Sequence, residues 1–86
     1  MIITLNKQFV NIESIWLELQ CPSCQNVFNV KMKAPFFNKN CRCRHVTFYF
    51  ALTTMKGSRV SVKVEAQEGY NQPVEIHPFG WSIDED

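Results

Sequence analysis

All four cysteines of the chain, Cys21, Cys24, Cys41 and Cys43, fall within one short stretch, CPSCQNVFNVKMKAPFFNKNCRC. No other feature constrains the fold as much. At 86 residues the chain makes one domain. A domain of that size buries only ~60–65% of the surface that its unfolded chain exposes, and such thin cores are often reinforced by a disulfide, a metal or a partner. A hydrophobic content of 45% argues against wholesale disorder. The start MIITLNKQF lacks the basic region and long apolar run of a secretory signal. The longest apolar run, Phe48 to Leu52, is far short of the ~20 residues of a membrane span. The expectation is a soluble protein of the cytoplasm or another reducing compartment, without a membrane partner. Paired cysteines there bind metal more often than they form structural disulfides.

The second half of the chain carries β periodicity. In HVTFYFAL, Val46, Phe48, Phe50 and Leu52 alternate with His45, Thr47, Tyr49 and Ala51, which places the heavy apolar set on one face. In RVSVKVEA, Val60, Val62, Val64 and Ala66 alternate with Arg59, Ser61, Lys63 and Glu65. The intervening MKGS supplies a glycine for a tight turn, so the two runs read as a hairpin. EGYNQP reads as a second turn, VEIH as a short strand stopped by Pro78, and FGWSIDED as an irregular tail anchored by Phe79 and Trp81. In the first half, VFNVKM puts Phe28, Val30 and Met32 on one face and Asn29, Lys31 and Lys33 on the other, as a strand does. SIWLELQ has two readings. Ile15, Leu17 and Leu19 alternate as a strand, whereas Ile12, Ile15, Trp16 and Leu19 fit a helix capped by Asn11. The strand is favoured, because it lets the chain enter and leave the CPSC turn as a hairpin.

That turn has its own signals. Pro22 fixes one backbone angle, and Asn26 suits the left-handed conformation that ends such loops. The loop directs both thiols at one point, and Cys41 and Cys43 offer a second pair. Tetrahedral zinc takes four soft ligands at ~2.3 Å, often as two local pairs brought together by hairpins. Bound to thiolates it would contribute on the order of 10 kcal/mol, as much as the whole stability of a small domain.

Over roughly residues 15–52, in the order strand, CPSC, strand, loop, CRC, strand, the chain resembles the zinc-ribbon superfamily. The resemblance implies zinc as cofactor and Cys21, Cys24, Cys41 and Cys43 as its ligands. It also implies binding to nucleic acid or docking onto proteins in large machines, without choosing between them. The second pair departs from the family pattern, with C-x-C where C-x2-C is usual. His45 lies two residues on and would share a face with Cys41 and Cys43 on an extended segment, so it stands as an alternative ligand. The fold expected is a small, mostly antiparallel β domain. It is a zinc ribbon with an added β-hairpin over residues 1–83 and an acidic tail at 84–86, with one short helix near the N-terminus as the alternative reading.

Other uses of the cysteines fit less well. A redox C-x-x-C sits at a helix N-terminus, which lowers the thiol pKa, but a strand is expected after CPSC. Rubredoxin-like iron binding meets the same C-x-C departure. Four thiolates leave no open position for catalytic zinc, and no H-x-E signature is present. No enzyme activity and no small-molecule substrate are therefore expected.

The net charge of +1 hides an asymmetry. All nine Lys and Arg lie in residues 1–63 with only Glu13 and Glu18, giving +7 there; residues 64–86 carry six acids and no Lys or Arg, giving −6. A dipolar surface that keeps the protein soluble explains this. So does a basic face for a polyanion with an acidic end for another partner. Lys31, Lys33, Lys39, Arg42 and Arg44 surround the second half of the ribbon, with Phe36 and Phe37 between them. Cations interleaved with aromatics suit nucleic acid; the plainer reading makes APFF an apolar plug and the cations a solvated strand face. His77, Trp16 and Trp81 read as structural residues, and Tyr49 marks a partner patch if it does not pack inside. The functional expectation is a non-catalytic interaction module, accessory or regulatory, contacting nucleic acid or an acidic partner. The alternative is a structural subunit of a large assembly, such as a viral particle, in which zinc replaces core and β-edges dock onto neighbours.

Overall fold

The computed structural model describes residues 2–5, 11–53, 60–70, 72–76 and 78–83. They form eight strands in chain order: β1 (Ile2–Thr4), β2 (Ile15–Gln20), β3 (Val27–Lys31), β4 (Phe36–Asn40), β5 (Val46–Thr53), β6 (Ser61–Glu68), β7 (Gln72–Val74) and β8 (Pro78–Ile83). All ladders are antiparallel. One sheet has the order β1-β6-β5-β4, with β7 also paired to β6; the other has the order β3-β2-β8. The expected antiparallel β fold is therefore the one observed.

Alternation decides the strands with the clearest pattern. Val46, Phe48 and Phe50 of β5 and Val62, Val64 and Ala66 of β6 are buried, while Tyr49, Lys63 and Glu65 face outward. From the second sheet Ile15, Leu17 and Leu19 of β2 join Val30 and Met32 in the same cluster. The two sheets thus bury one apolar face each against the other. Phe28 meets Phe48 edge to face, at 5.1 Å between centroids and 62° between planes. Phe37 stacks on Phe50 at 4.6 Å. No polar or charged side chain is buried among the described residues.

Both readings of SIWLELQ contain part of the answer. A single 3-10 turn, Ile12–Ser14, is capped by Asn11, whose side chain accepts from the Glu13 N–H at 3.2 Å. The strand then runs from Ile15, and there is no longer helix among the described residues. The β5–β6 hairpin forms as expected, with Thr53 opposite Ser61, though MKGS itself lies outside the described residues.

Four expectations are corrected. APFF is not a loop plug: Phe36 and Phe37 open β4, which pairs with β5 from Ala51 to Thr47. Its FFNKN composition conceals this, because Asn and Lys are depleted in strands. The tail FGWSIDED is not irregular over its described part, since Pro78–Ile83 pairs with β2. Pro78 is tolerated as the first residue of a strand, and the ladder shifts register opposite Glu18 and Leu19. The strand near residue 74 is Gln72–Val74 rather than VEIH, with Ile76 buried beyond its end. The left-handed residue of the CPSC loop is Gln25, at φ 66°, one position before Asn26. β1 has no counterpart in the sequence reading; Ile2–Thr4 is too short a run to show a period.

Candidate metal centre

The β2–β3 connection carries Cys21 and Cys24, and the β4–β5 connection carries Cys41 and Cys43. The first belongs to the three-stranded sheet and the second to the other, so the cysteines meet where the two sheets come together at one end. The first connection spans six residues and the second five, and both close in the same way. The Cys21 N–H donates to the Asn26 carbonyl at 3.0 Å, and the Cys41 N–H donates to the Val46 carbonyl at 2.9 Å. In each, the residue after the second cysteine is left-handed: Gln25 and Arg44, both at φ 66°. The difference is one step. The Gln25 N–H reaches back to the Cys21 carbonyl, four residues away; the Arg44 N–H reaches the Cys41 carbonyl, three away. The tighter turn moves the second thiol one residue earlier, and this lets C-x-C present its thiols as C-x2-C does. The first loop is braced further by Gln20, whose amide donates to the Gln25 carbonyl at 3.0 Å, and by Gln25, whose amide donates to the Pro22 carbonyl at 3.1 Å.

The four Sγ atoms lie within 4.8 Å of one another. Across the loops Cys21 and Cys43 are 3.9 Å apart and Cys24 and Cys41 are 3.6 Å apart. Thiolates at ~2.3 Å around a tetrahedral ion stand ~3.8 Å from each other, whereas a disulfide needs ~2.05 Å; all four cysteines are free. The donor set thus fits a soft tetrahedral metal. His45 is outside this group and exposed. Its contribution is its backbone, which hydrogen-bonds Cys43 and lowers that thiol to about 7. Desolvation by burial instead pushes Cys41 up to about 12 and raises Cys21. Burial thus drives Cys21 and Cys41 toward the neutral form, so a cation that displaces their protons relieves the burial penalty.

Only part of the basic set lies at this end. Arg42 and Arg44 are exposed on the second loop, and Lys39 is exposed two residues before it in β4. Lys31 pairs with Trp16, and Val27 with Gln20. Lys31 and Lys33 therefore stand at the opposite end of the β2–β3 hairpin from the cysteines. There the Lys31 ammonium lies 5.9 Å from the Trp16 ring centroid. Ile83 pairs with Ile15 at that same far end; residues 84–86 and His77 lie outside the described residues. Trp81 is 36% exposed, and Tyr49 sits on the outer sheet face opposite Asn38 and Glu65. No described helix is long and apolar enough to cross a membrane.

The arrangement at the cysteine end is a metal-binding cluster built by two β-hairpin loops. Comparison with family models, with curated proteins and with solved structures yields no match.

Proposed function

We propose that the chain is a non-catalytic, zinc-binding interaction module whose second cysteine loop contacts nucleic acid through Lys39, Arg42 and Arg44. The observation that carries this reading is the exposure of both arginines on the loop that also supplies Cys41 and Cys43. The metal would fix the loop, and the loop would present fixed cations. Four thiolates fill a tetrahedral ion, leaving no position for a reacting water, so binding rather than catalysis suits the centre. Zinc suits four cysteines at tetrahedral spacing without requiring redox chemistry.

The test is fluorescence anisotropy with labelled single-stranded and duplex DNA and RNA at two salt concentrations, alongside elemental analysis. About one zinc per chain and binding that weakens steeply with salt are expected. Absence of salt-sensitive binding at ~50 mM salt would pass the reading to its alternative, a structural subunit of a larger assembly. The exposed Ile2, Val27 and Phe36 favour that alternative.

A further inference from the structure

β3 and β4 end their respective sheets, and no ladder joins them among the described residues. Their connection runs through residues 32–35 at one end, and the cysteine cluster fastens their two loops at the other. Near the cluster lies a groove of about 560 Å³, within the ~300–1,000 Å³ of clefts that hold ligands. Asn26, Val27 and Asn29 line one wall, with Lys39, Asn40 and Arg42 on the other.

The backbone groups on these edges follow from the register. Antiparallel partners alternate between bonded and non-bonded pairs. The bonds from Cys41 to Val46 and from Leu52 to Pro35 both belong to the bonded set. Phe37 and Lys39 therefore direct their N–H and C=O groups at β5, and Phe36, Asn38 and Asn40 direct theirs away from it. The same alternation, fixed by the Cys21–Asn26 and Met32–Ile15 bonds, sends those of Val27, Asn29 and Lys31 away from β2. None of these six is proline, so each edge offers an unbroken row of donors and acceptors.

Charge says what would pair there. No acidic residue occurs between Glu18 and Glu65, and Lys39 and Arg42 stand exposed beside the β4 edge. A second copy of β4 would bring like charges together, which is how edge lysines discourage self-association. An extended acidic segment would meet complementary charge.

We propose that β4 accepts an extended, acidic segment of a partner protein as an added strand, laid in the groove with β3 as its opposite wall. The ladder would supply affinity, and Lys39 and Arg42 would select acidic side chains. Phe36, 75% exposed at the head of β4, would cover an apolar residue at one end. This rests on strand edges, and it stands or falls apart from any nucleic-acid binding by the loop.

The probe is a blocked seven-residue peptide that alternates Val or Thr with Glu, added to the full-length, metal-loaded chain labelled with ¹⁵N. Amide exchange at Phe36, Asn38 and Asn40 is expected to slow at least about tenfold, and the same peptide with Lys for Glu should leave it unchanged. Asn38→Pro removes an outward N–H that bonds nothing in the sheet, so the fold should survive while peptide affinity drops at least about tenfold. Thr4→Pro, at an outward position of the edge strand β1 away from the groove, serves as the matched control and should bind normally. Unchanged edge exchange at saturating peptide overturns the proposal. So does protection confined to Val27, Asn29 and Lys31, equal binding of the Lys peptide, edge protection from dimerisation without peptide, or a groove that answers only to a single-stranded oligonucleotide. Should Asn38→Pro fail to fold, the exchange measurement on the native chain decides.

Discussion

The two cysteine loops share a closing hydrogen bond and a left-handed residue after the second thiol, yet they differ in almost everything else. The first is uncharged, stiffened by Pro22 and braced by Gln20 and Gln25. The second carries Arg42, Arg44 and His45, all exposed. The backbone task, aiming two thiols at one point, is thus separable from the surface task. The first loop performs only the former, and the second has room for both. Four experiments would break or sharpen this contrast.

The largest effect should come from the ligands, where the loops are equal. Cys21→Ser and Cys43→Ser should each abolish metal binding and unfold the domain at ambient temperature, because metal contributes on the order of 10 kcal/mol. His45→Ala should leave metal content unchanged. Circular dichroism with elemental analysis checks both, and loss of metal from His45→Ala with retention in Cys41→Ser would reverse the ligand assignment.

Next in size is the pH dependence of metal uptake. A thiol's ordinary value is near 9. Burial raises Cys21 and pushes Cys41 up to about 12, so at neutral pH both hold protons that metal must displace, whereas Cys43 is lowered to about 7. Each displaced proton weakens binding about tenfold per unit of acidification. Competition with a chelator at pH 6 and pH 8 should show affinity falling by more than tenfold per unit; a flat profile would contradict a thiolate site.

The charges should separate the loops. Replacing Lys39, Arg42 and Arg44 together by Ala should flatten the slope of log affinity against log salt by ~2–3 units for nucleic acid, with metal content intact. Ser23→Ala in the first loop should change neither quantity. If the slope stays put, the cations of the second loop are solvated ornament on a metal fold. The smallest effect concerns the left-handed residues. Arg44→Gly removes a side chain from a conformation costing ~1–2 kcal/mol, offset by ~0.5–1 kcal/mol of chain entropy. The melting temperature should stay level or rise by a few degrees; a marked drop would mean that the Arg44 side chain has a structural partner.

How much of this could be read from the chain varies with the element. Val46 to Leu52 and Val60 to Ala66 announce strands because one face is uniformly apolar and buried. The cysteine cluster announces itself because thiols are scarce and close in sequence. β4 and β8 do not, since their stability is borrowed from neighbours. Asn38 and Lys39 have little intrinsic strand preference, and Pro78 and Gly80 have less; pairing with β5 and β2 overrides them. The dispersal of the basic residues was also out of reach. Lys31 and Arg42 are near in sequence, but only the register, with Trp16 opposite Lys31 and Gln20 opposite Val27, puts the hairpin's length between Lys31 and the cysteine loops.

The placement of all four thiols on the β2–β3 and β4–β5 connections also has a consequence for the order of assembly. During synthesis every ligand emerges before β6, β7 and β8 exist. Metal can therefore join two nascent hairpins while β6, β7 and β8 are still missing, and loop closure between them is then already made. The late strands arrive onto a preformed frame. β8, which pairs with the much earlier β2, closes one long-range ladder and β6, which pairs with β1, closes the other; until β8 docks, that edge of β2 stays open to misassociation.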